Sequence, residues 1–270
     1  MSGNKLSIYY YSGTHWDREW YQDFQGFRMR LVSVVNELIE VLEQDPSFKV
    51  FHLDGQTIVL EDYKEIEPVK AERLKKLIQE RRVLVGPWYV MPDEFLVSGE
   101  SLIRNFMTGH RIAKEWGTEP WKFGYVNDIF GHIAQMPQIL NGFGMRHALL
   151  GRGTNEHTTP AFFVWQSPDG SECVTFKLHD EHGYTSATRL IMDQVDPEKG
   201  VTSDLEEHIR NLVEYERKRS DVPVLVLMDT YDHQPVKKHT PAVLDMMRKL
   251  YPEAEVKHES LENTALTNRG

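Results

Sequence analysis

The chain has 270 residues, 40% of them hydrophobic, and this length suits one large α/β core or two small domains. Its net charge of -10 gives a surface that repels nucleic acid and anionic membranes, so neither is expected as a partner. Cys173 is the one cysteine in the sequence, which excludes an internal disulfide framework and suits a reducing compartment.

The sequence contains no segment with the pattern of a leader or a membrane span. The N-terminus runs from Met1 directly into a strand-like segment, without a basic region followed by a long apolar stretch. No apolar run approaches the roughly 18 residues that a membrane span needs. A cytoplasmic location is therefore expected.

In the first half of the chain, short β-rich runs alternate with amphipathic helices. A strand is predicted at 6–11, and a helix follows in which apolar residues recur every three or four positions from Leu31 to Leu42. The next elements are a strand at 48–53, a helix at 71–82 and a strand at 83–88.

The helix predicted next runs from Ser101, taken as its capping residue, to Trp116. Four of its apolar residues are expected to face inward: Leu102, Ile103, Phe106 and Met107. This helix precedes the strand that leads into the second half of the chain.

The second half keeps the same alternation, with one hairpin inserted. Its predicted elements are a strand at 121–126, a helix at 134–141, a strand at 147–151, β-rich runs at 162–165 and 173–178, a helix at 203–219, a strand at 222–228, a helix at 240–250 and a strand at 254–258. The two β-rich runs flank Ser167-Pro-Asp-Gly170, which predicts an antiparallel hairpin. Strands that alternate with helices indicate a largely parallel sheet with helices packed outside it.

Histidine and aspartate residues follow three of the predicted strands. His15 and Asp17 follow the first strand, Asp128 follows the strand at 121–126, and His233 follows the strand at 222–228. Because α/β folds place their sites at the carboxyl ends of strands, these side chains are expected at one rim. Two imidazoles and two carboxylates suit zinc, and they also allow manganese or another borderline ion. The alternative is that they are unrelated hydrogen-bonding groups at strand ends.

Three separated motifs carry a family resemblance: His15-Trp-Asp-Arg-Glu-Trp20, Gly86-Pro-Trp-Tyr-Val-Met-Pro-Asp-Glu94 and Asp128-Ile-Phe-Gly-His132. In this order, and over nearly the whole chain, they resemble glycoside hydrolase family 38, the α-mannosidases. The first motif resembles the bacterial branch, which includes mannosylglycerate hydrolases. The resemblance implies an α/β fold that forms an irregular seven-stranded, mostly parallel β/α barrel.

The resemblance also implies a domain organisation. Residues 1–270 would be a single N-terminal catalytic domain, without the helical and β-sandwich domains that follow it in longer family members. A homo-oligomer is allowed for the complete enzyme.

The resemblance assigns the ligands and the nucleophile. His15, Asp17, Asp128 and His233 would bind Zn2+, and Asp128 would also form a covalent glycosyl-enzyme. The metal would hold the cis 2- and 3-hydroxyls of mannose while the ring distorts toward an oxocarbenium-like transition state. The implied activity is hydrolysis, with retention, of terminal α-mannosyl linkages in a small-molecule or oligosaccharide substrate.

Four further residues match sugar-binding positions of the family. Trp20 would stack beneath the sugar, and Phe130 would line the same pocket. Arg152 would lie near the nucleophile, and Asp93 would bond sugar hydroxyls. The alternatives are core aromatics for the first two, a solvated loop residue for Arg152 and a turn residue for Asp93.

Three residues close to these motifs receive lesser roles. His132 is expected to support its loop rather than to bind metal. His52 and Asp54 lie at the end of the second predicted strand and could sit behind the ligands, although neither is included in the site.

A retaining enzyme also needs a general acid about 5 Å from its nucleophile. In the family this acid follows the hairpin, which corresponds here to residues 179–196. The candidates are Asp180, Glu181, Asp193 and Asp196, and approximate spacing favours Asp193. Each of them taken alone could equally be a surface charge.

Two other functions fit part of the pattern. In a metal-dependent deacetylase on a similar barrel, the metal would activate water and Asp128 would act only as a ligand or base. A catalytically incomplete carbohydrate-binding fragment would account for the absent domains and for the unassigned acid. Covalent labelling, deacetylation and sugar binding without turnover distinguish the three.

Overall fold

The computed structural model describes residues 5–263, so residues 1–4, where no leader pattern was expected, and those after 263 lie outside it. The strands of the described part are β1 Ser7–Thr14, β2 Phe51–Leu53, β3 Val83–Leu84, β4 Gly124–Val126, β5 His147–Leu150, β6 Phe162–Gln166, β7 Glu172–Lys177, β8 Val224–Asp229 and β9 Glu255–Lys257. Its α-helices are α1 Phe24–Gln44, α2 Ile58–Ile66, α3 Pro68–Gln79, α4 Gly99–Glu115, α5 Met136–Gly142, α6 Ser186–Leu190, α7 Leu205–Arg219 and α8 Thr240–Leu250. The predicted mixed α/β class is confirmed.

The strands form two sheets. The first has the order β3-β2-β1-β8, with all pairs parallel, and β9 pairs with the amino-terminal half of β1. The second has the order β4-β5-β7-β6, in which only the β6–β7 hairpin is antiparallel. The predicted parallel arrangement and the predicted hairpin are therefore confirmed.

The predicted seven-stranded barrel is not confirmed, because the strands within 5–263 do not close into a ring. The first sheet ends at β3, which is two residues long and is paired with β2. Backbone hydrogen bonds outside the ladders cross the gaps between the sheets. Trp121 N donates to Val85 O (3.0 Å), and Thr230 N donates to Tyr184 O (3.3 Å).

Side chains that alternate along β1 divide the core into layers. Tyr9 and Tyr11 belong to an aromatic-rich core between the two sheets, whereas Ile8 and Tyr10 pack with α7 and α8 outside. This alternation is the period of two that any strand imposes. Because side chains fill the space between the sheets, ligands must bind beyond the strand ends.

The helices pack outside the sheets, largely through the predicted faces. The apolar stripe of α1 from Leu31 to Leu42 is buried, as predicted. In α4, Leu102 and Phe106 are buried, but Ile103 and Met107 are 39% and 57% exposed, so their predicted inward orientation is wrong. One residue along a helix is a rotation of about 100°, which carries these two side chains out of the buried face.

The predicted start of α4 is also corrected. The helix begins at Gly99, and the capping side chain is Ser98, whose Oγ accepts a hydrogen bond from Ser101 N (3.2 Å). No helix in the described part of the chain is long and apolar enough to cross a membrane.

Gly109 lies where α4 packs directly on the backbone of the Pro87–Trp88 segment. A Cβ atom at this position would lie 2.4 Å from Pro87 O. Alanine normally favours a helix over glycine by about 1 kcal/mol, whereas overpacking costs about 1–3 kcal/mol. Because this contact is with backbone, the overpacking cost should lie near the upper end of its range, and Gly109→Ala is expected to lower the free energy of unfolding by about 2 kcal/mol in denaturant titrations.

Gly99→Ala is the matched control for this change, because nothing lies within 4 Å of a Cβ atom at the start of the same helix. It should leave the free energy of unfolding unchanged or raise it slightly. If Gly109→Ala behaved like Gly99→Ala, the close approach of α4 to this segment would be refuted.

Candidate active site

The carboxyl ends of β1, β4 and β8 deliver the four predicted ligand side chains to one region. His15 N donates to Tyr231 O (3.1 Å), and His233 N donates to His15 O (2.8 Å). The parallel pairing of β1 with β8 thus continues past both strands and fixes the two histidines side by side. Asp128 stands two residues beyond the end of β4.

The four side chains form a series of close neighbours. His15 Nε2 lies 3.6 Å from Asp128 Oδ2 and 3.7 Å from Asp17 Oδ1. His233 Nε2 lies 3.2 Å from Asp17 Oδ2 and accepts a hydrogen bond from Asp17 N (3.1 Å). As they stand, no three His, Cys, Asp or Glu side chains of the described residues are grouped so that they could hold a metal ion. The sequence predicted that side chains following these strands lie close together, and the structure agrees. Their role as ligands remains a prediction.

The His15 ring is buried between three carboxylates. Its Nδ1 atom lies 2.9 Å from Asp54 Oδ2, although the ring N–H is not aligned on that oxygen and forms no hydrogen bond there. Burial lowers the pKa of His15, but Asp54, Asp17 and Asp128 outweigh burial and raise this pKa to about 9. The site therefore carries a surplus of negative charge that favours a cation.

Arg152 pairs with the predicted nucleophile. Its Nε donates to Asp128 Oδ1 (2.5 Å), and its guanidinium lies 5.2 Å from the centre of the Phe130 ring. Burial lowers the pKa of Arg152, but the hydrogen bond that its guanidinium donates to Asp128 outweighs burial and raises this pKa. Arg152 thus pairs with Asp128, the predicted nucleophile, although its own side chain is 50% exposed in a loop. The other Asp128 oxygen faces His15.

Two clefts meet at Phe130. The first has a volume of about 520 Å³ and is lined by residues that include His15, Asp17, Trp20, Asp128 and Phe130. Trp20 is 65% exposed and Phe130 is 72% exposed, so neither is a core aromatic. The second cleft, of about 690 Å³, begins at Phe130 and Arg152 and extends along the loop that follows β7.

Asp93 is not among the residues that line these clefts. Its Oδ1 accepts a hydrogen bond from Phe95 N (3.2 Å), as a turn residue does. Its neighbour Glu94 is buried, with Oε1 2.9 Å from His132 Nδ1, and His132 Nε2 lies 2.9 Å from Arg152 O. His132 therefore ties its own loop to the Arg152 loop, in agreement with the supporting role expected for it.

The four candidates for the general acid lie in different surroundings. Glu181 and Asp180 line the second cleft, whereas Asp193 is exposed in the turn Met192–Gln194, outside the lining of both clefts. Burial raises the pKa of Asp180, but its hydrogen bond with Lys177 outweighs burial and lowers it. Asp196 is partly exposed, and backbone hydrogen bonds from two following residues lower its pKa.

Two residues of this region were not predicted, Tyr184 and Asp232. The Tyr184 hydroxyl donates to Asp232 Oδ1 (2.7 Å), and both residues line the second cleft. Burial, together with the charge of Asp128, raises the pKa of Tyr184 well above its ordinary value. Asp232 directly precedes His233 and could have been noticed for that reason. A tyrosine in a loop has no spacing that marks it.

Fold and site together define an α/β protein with an acidic, histidine-containing cleft at the carboxyl ends of parallel strands. Residues 5–261 match the model of the glycosyl hydrolases family 38 N-terminal domain. The chain belongs to this family, and the resemblance inferred from the three motifs is confirmed.

Comparison with individual proteins agrees with this membership. The chain is 33% identical, over 96% of its length, to a protein of Halalkalibacterium halodurans that is provisionally named a mannosylglycerate hydrolase, and it covers 29% of that protein. Its structure matches that of an alpha-mannosidase from Enterococcus faecalis V583 with a TM-score of 0.85 and 30% identity, over 96% of this chain and 29% of the other. A second Enterococcus faecalis structure, a protein in glycosyl hydrolase family 38, gives a TM-score of 0.75 and 27% identity, over 96% of this chain and 27% of the other. The chain thus spans less than a third of the length of these relatives.

Proposed function

We propose that this chain is the metal-binding and sugar-binding part of a retaining α-mannosidase, in which Asp128 is the nucleophile. One observation carries the proposal: Asp128 from the end of β4 lies 3.6 Å from His15 at the end of β1, in the cleft that Trp20 and Phe130 line. Family membership and the likeness to an alpha-mannosidase support the reaction class. The substrate would be a mannose-containing glycoside.

His15, Asp17, Asp128 and His233 supply donor types that suit zinc, although the four side chains would have to move closer to a common point before they could hold an ion. In a tetrahedral site with bonds of about 2.0–2.1 Å, neighbouring ligand atoms lie roughly 3.3 Å apart, and three pairs of donor atoms here are separated by 3.2–3.7 Å. Ligation requires His233 Nε2 to release the backbone N–H of Asp17, because one lone pair cannot serve both partners.

The charges of the site support a divalent cation. Asp17, Asp54 and Asp128 all act on His15, and the guanidinium of Arg152 balances one of these three carboxylates. The remaining two negative charges equal the charge of a zinc ion when both histidines are neutral ligands. Zinc would hold two vicinal hydroxyls of the sugar and so favour mannose, whose 2- and 3-hydroxyls are cis.

Side chains of the protein then carry out the first step of the reaction, formation of the glycosyl ester. The exposed ring of Trp20 offers a face on which the sugar can stack. Arg152 holds one oxygen of Asp128, so the carboxylate is oriented for attack on the anomeric carbon. The new ester bond forms as the glycosidic bond breaks, and a general acid gives its proton to the leaving oxygen. Water later cleaves the ester, which preserves the configuration.

The general acid belongs on the side of the leaving group, and we assign that side to the second cleft. Asp193, which family spacing favours, lies outside the lining of this cleft, and Asp180 is bound to Lys177. Glu181 lines the cleft, and its side chain is 79% exposed. Position therefore favours Glu181 over Asp193.

Metal removal tests the proposal directly. The purified chain is expected to contain stoichiometric zinc by elemental analysis, and a chelator should abolish turnover of an aryl α-mannoside until zinc is restored. A 5-fluoro mannosyl reagent should label Asp128, as mass spectrometry of peptides would show.

Three results would contradict the proposal. A zinc-free chain that turns over the mannoside at the same rate would remove the metal from the mechanism. Deacetylation of acetylated sugars without covalent labelling would favour the deacetylase alternative. Calorimetric binding of mannose without turnover or labelling would favour a carbohydrate-binding role.

A further inference from the structure

Asp54 is the most enclosed carboxylate beside the proposed ligands, although it is not one of them. It is fully buried, and its Oδ2 accepts hydrogen bonds from Trp16 N (2.8 Å) and Gln56 Nε2 (2.7 Å). The same oxygen lies 2.9 Å from His15 Nδ1. Asp54 has a φ of 51°, in the left-handed region, within the turn that ends β2. A non-glycine residue held in this region is constrained by its surroundings.

We infer that Asp54 is a positioning residue, which holds His15 with its proton on Nδ1 and so presents the Nε2 lone pair to the cation. This inference rests on the proposed function. A neutral imidazole has one donor nitrogen and one acceptor nitrogen. Because a carboxylate can only accept, the nitrogen that faces Asp54 must carry the proton. The nitrogen that faces Asp17 and Asp128 is then free to bind a metal.

Two unpaired atoms support this pairing. His15 Nδ1 and Asp54 Oδ1 are both buried, and neither has a hydrogen-bond partner in the present side-chain positions. A small rotation of the ring or of the carboxylate would bring the Nδ1–H into line with the carboxylate, whose nearer oxygen, Oδ2, is 2.9 Å away. A buried donor and a buried acceptor left unpaired are each costly, so both gain from this adjustment.

The charge of Asp54 gives a second argument. The other donors to its carboxylate are a peptide N–H and an amide, which are neutral, so the imidazole is the group in contact that can carry positive charge. A buried carboxylate needs such a partner. Asp54 makes the ring a more basic ligand at Nε2, and a bound metal would in turn strengthen the hydrogen bond from the ring to Asp54.

Asp54→Asn tests the inference with little change of shape. Asparagine tolerates positive φ, and its amide oxygen can still accept from Trp16 N and Gln56. The substitution removes the negative charge, and zinc affinity is expected to fall about 10–100-fold, as for other groups that orient metal-ligating histidines. Competition with a chromophoric chelator measures this affinity in the whole chain. The melting temperature of the zinc-free protein is expected to fall about as much as in Glu94→Gln, which also removes the charge of a buried carboxylate beside an imidazole.

Glu94→Gln is the matched control. Glu94 is 1% exposed, and its Oε1 lies 2.9 Å from His132 Nδ1, which is the same carboxylate–imidazole separation. The other nitrogen of His132 faces the Arg152 carbonyl oxygen rather than a proposed ligand. Zinc affinity should therefore be unchanged in this variant.

The outcomes separate this inference from the proposed function. If the parent chain binds no zinc, the proposed metal site is refuted, and so is the role of Asp54. A parent that binds zinc and an Asp54→Asn variant that binds it equally tightly refute only the role of Asp54. If Glu94→Gln lowers zinc affinity as much as Asp54→Asn does, the loss reflects general destabilisation and the inference is wrong.

Discussion

Asp128→Asn is expected to reduce turnover of an aryl α-mannoside by at least about 10⁴-fold, the scale seen when a covalent nucleophile is removed. The amide cannot form the glycosyl ester, so labelling by a 5-fluoro mannosyl reagent should also disappear. The substitution retains one oxygen and nearly the same volume. Asp128 contacts Arg152 on one side and His15 on the other, so the amide should still fit between them.

The same substitution weakens a proposed zinc ligand, and the two roles of Asp128 must be separated. Turnover should therefore be measured over a range of zinc concentrations. If Asp128 is the nucleophile, activity stays lost when zinc is saturating. Recovery at high zinc would show that Asp128 acts only as a ligand, as the deacetylase alternative requires.

Asp232→Asn provides a matched control for the label. Asp232 is a carboxylate on the wall of the second cleft, and its Oδ1 accepts the Tyr184 hydroxyl. This variant should still be labelled at Asp128. If the reagent labels Asp232 instead of Asp128 in the parent chain, the nucleophile is misassigned.

The class of fold could be predicted from local pattern, but the closure of the sheet could not. The stripe from Leu31 to Leu42 and the turn at Ser167–Gly170 each specify one element through residues that are neighbours in the sequence. Which strands pair is a long-range property. β1 pairs with β2, β8 and β9, and nothing in its own sequence indicates three partners.

Two elements show why local prediction fails. The strand predicted over 83–88 stops at Leu84 in the structure. Gly86 takes a φ of 74°, and Pro87 has no N–H to donate to a ladder. Helix α2 was missed because Ile58 and the two residues after it are consecutive apolar residues, all of them buried. Such a run shows no amphipathic stripe.

The site was predictable where strand geometry decides it. His15, Asp17 and His233 follow β1 and β8, which are parallel neighbours whose carboxyl ends share an edge. Asp128 follows β4 of the second sheet, and the structure brings it close to His15. Contacts that depend on loop conformation were not predictable. Tyr184 reaches the cleft through the loop after β7, and no spacing in the sequence encodes that path.

Glu181→Gln is expected to slow hydrolysis of mannosides with poor leaving groups by about 10²–10⁴-fold, the usual contribution of a general acid. A methyl mannoside or a mannobiose needs protonation of the departing oxygen. A dinitrophenyl mannoside does not, because its leaving group is already a weak base, so its turnover should change little. The measurement is kcat/KM for both substrates. A selective loss identifies the acid, whereas a loss of fold or of zinc would slow both substrates alike.

Asp193→Asn is the competing variant and should leave both substrates unaffected, since Asp193 is exposed and lies outside the lining of both clefts. Asp180→Asn removes the partner of the buried Lys177. It should therefore lower stability and slow both substrates to a similar degree. If Asp193→Asn alone produced the selective loss, the loop that carries it would have to move to the cleft when substrate binds. Family spacing would then locate the acid better than the position of Glu181 does.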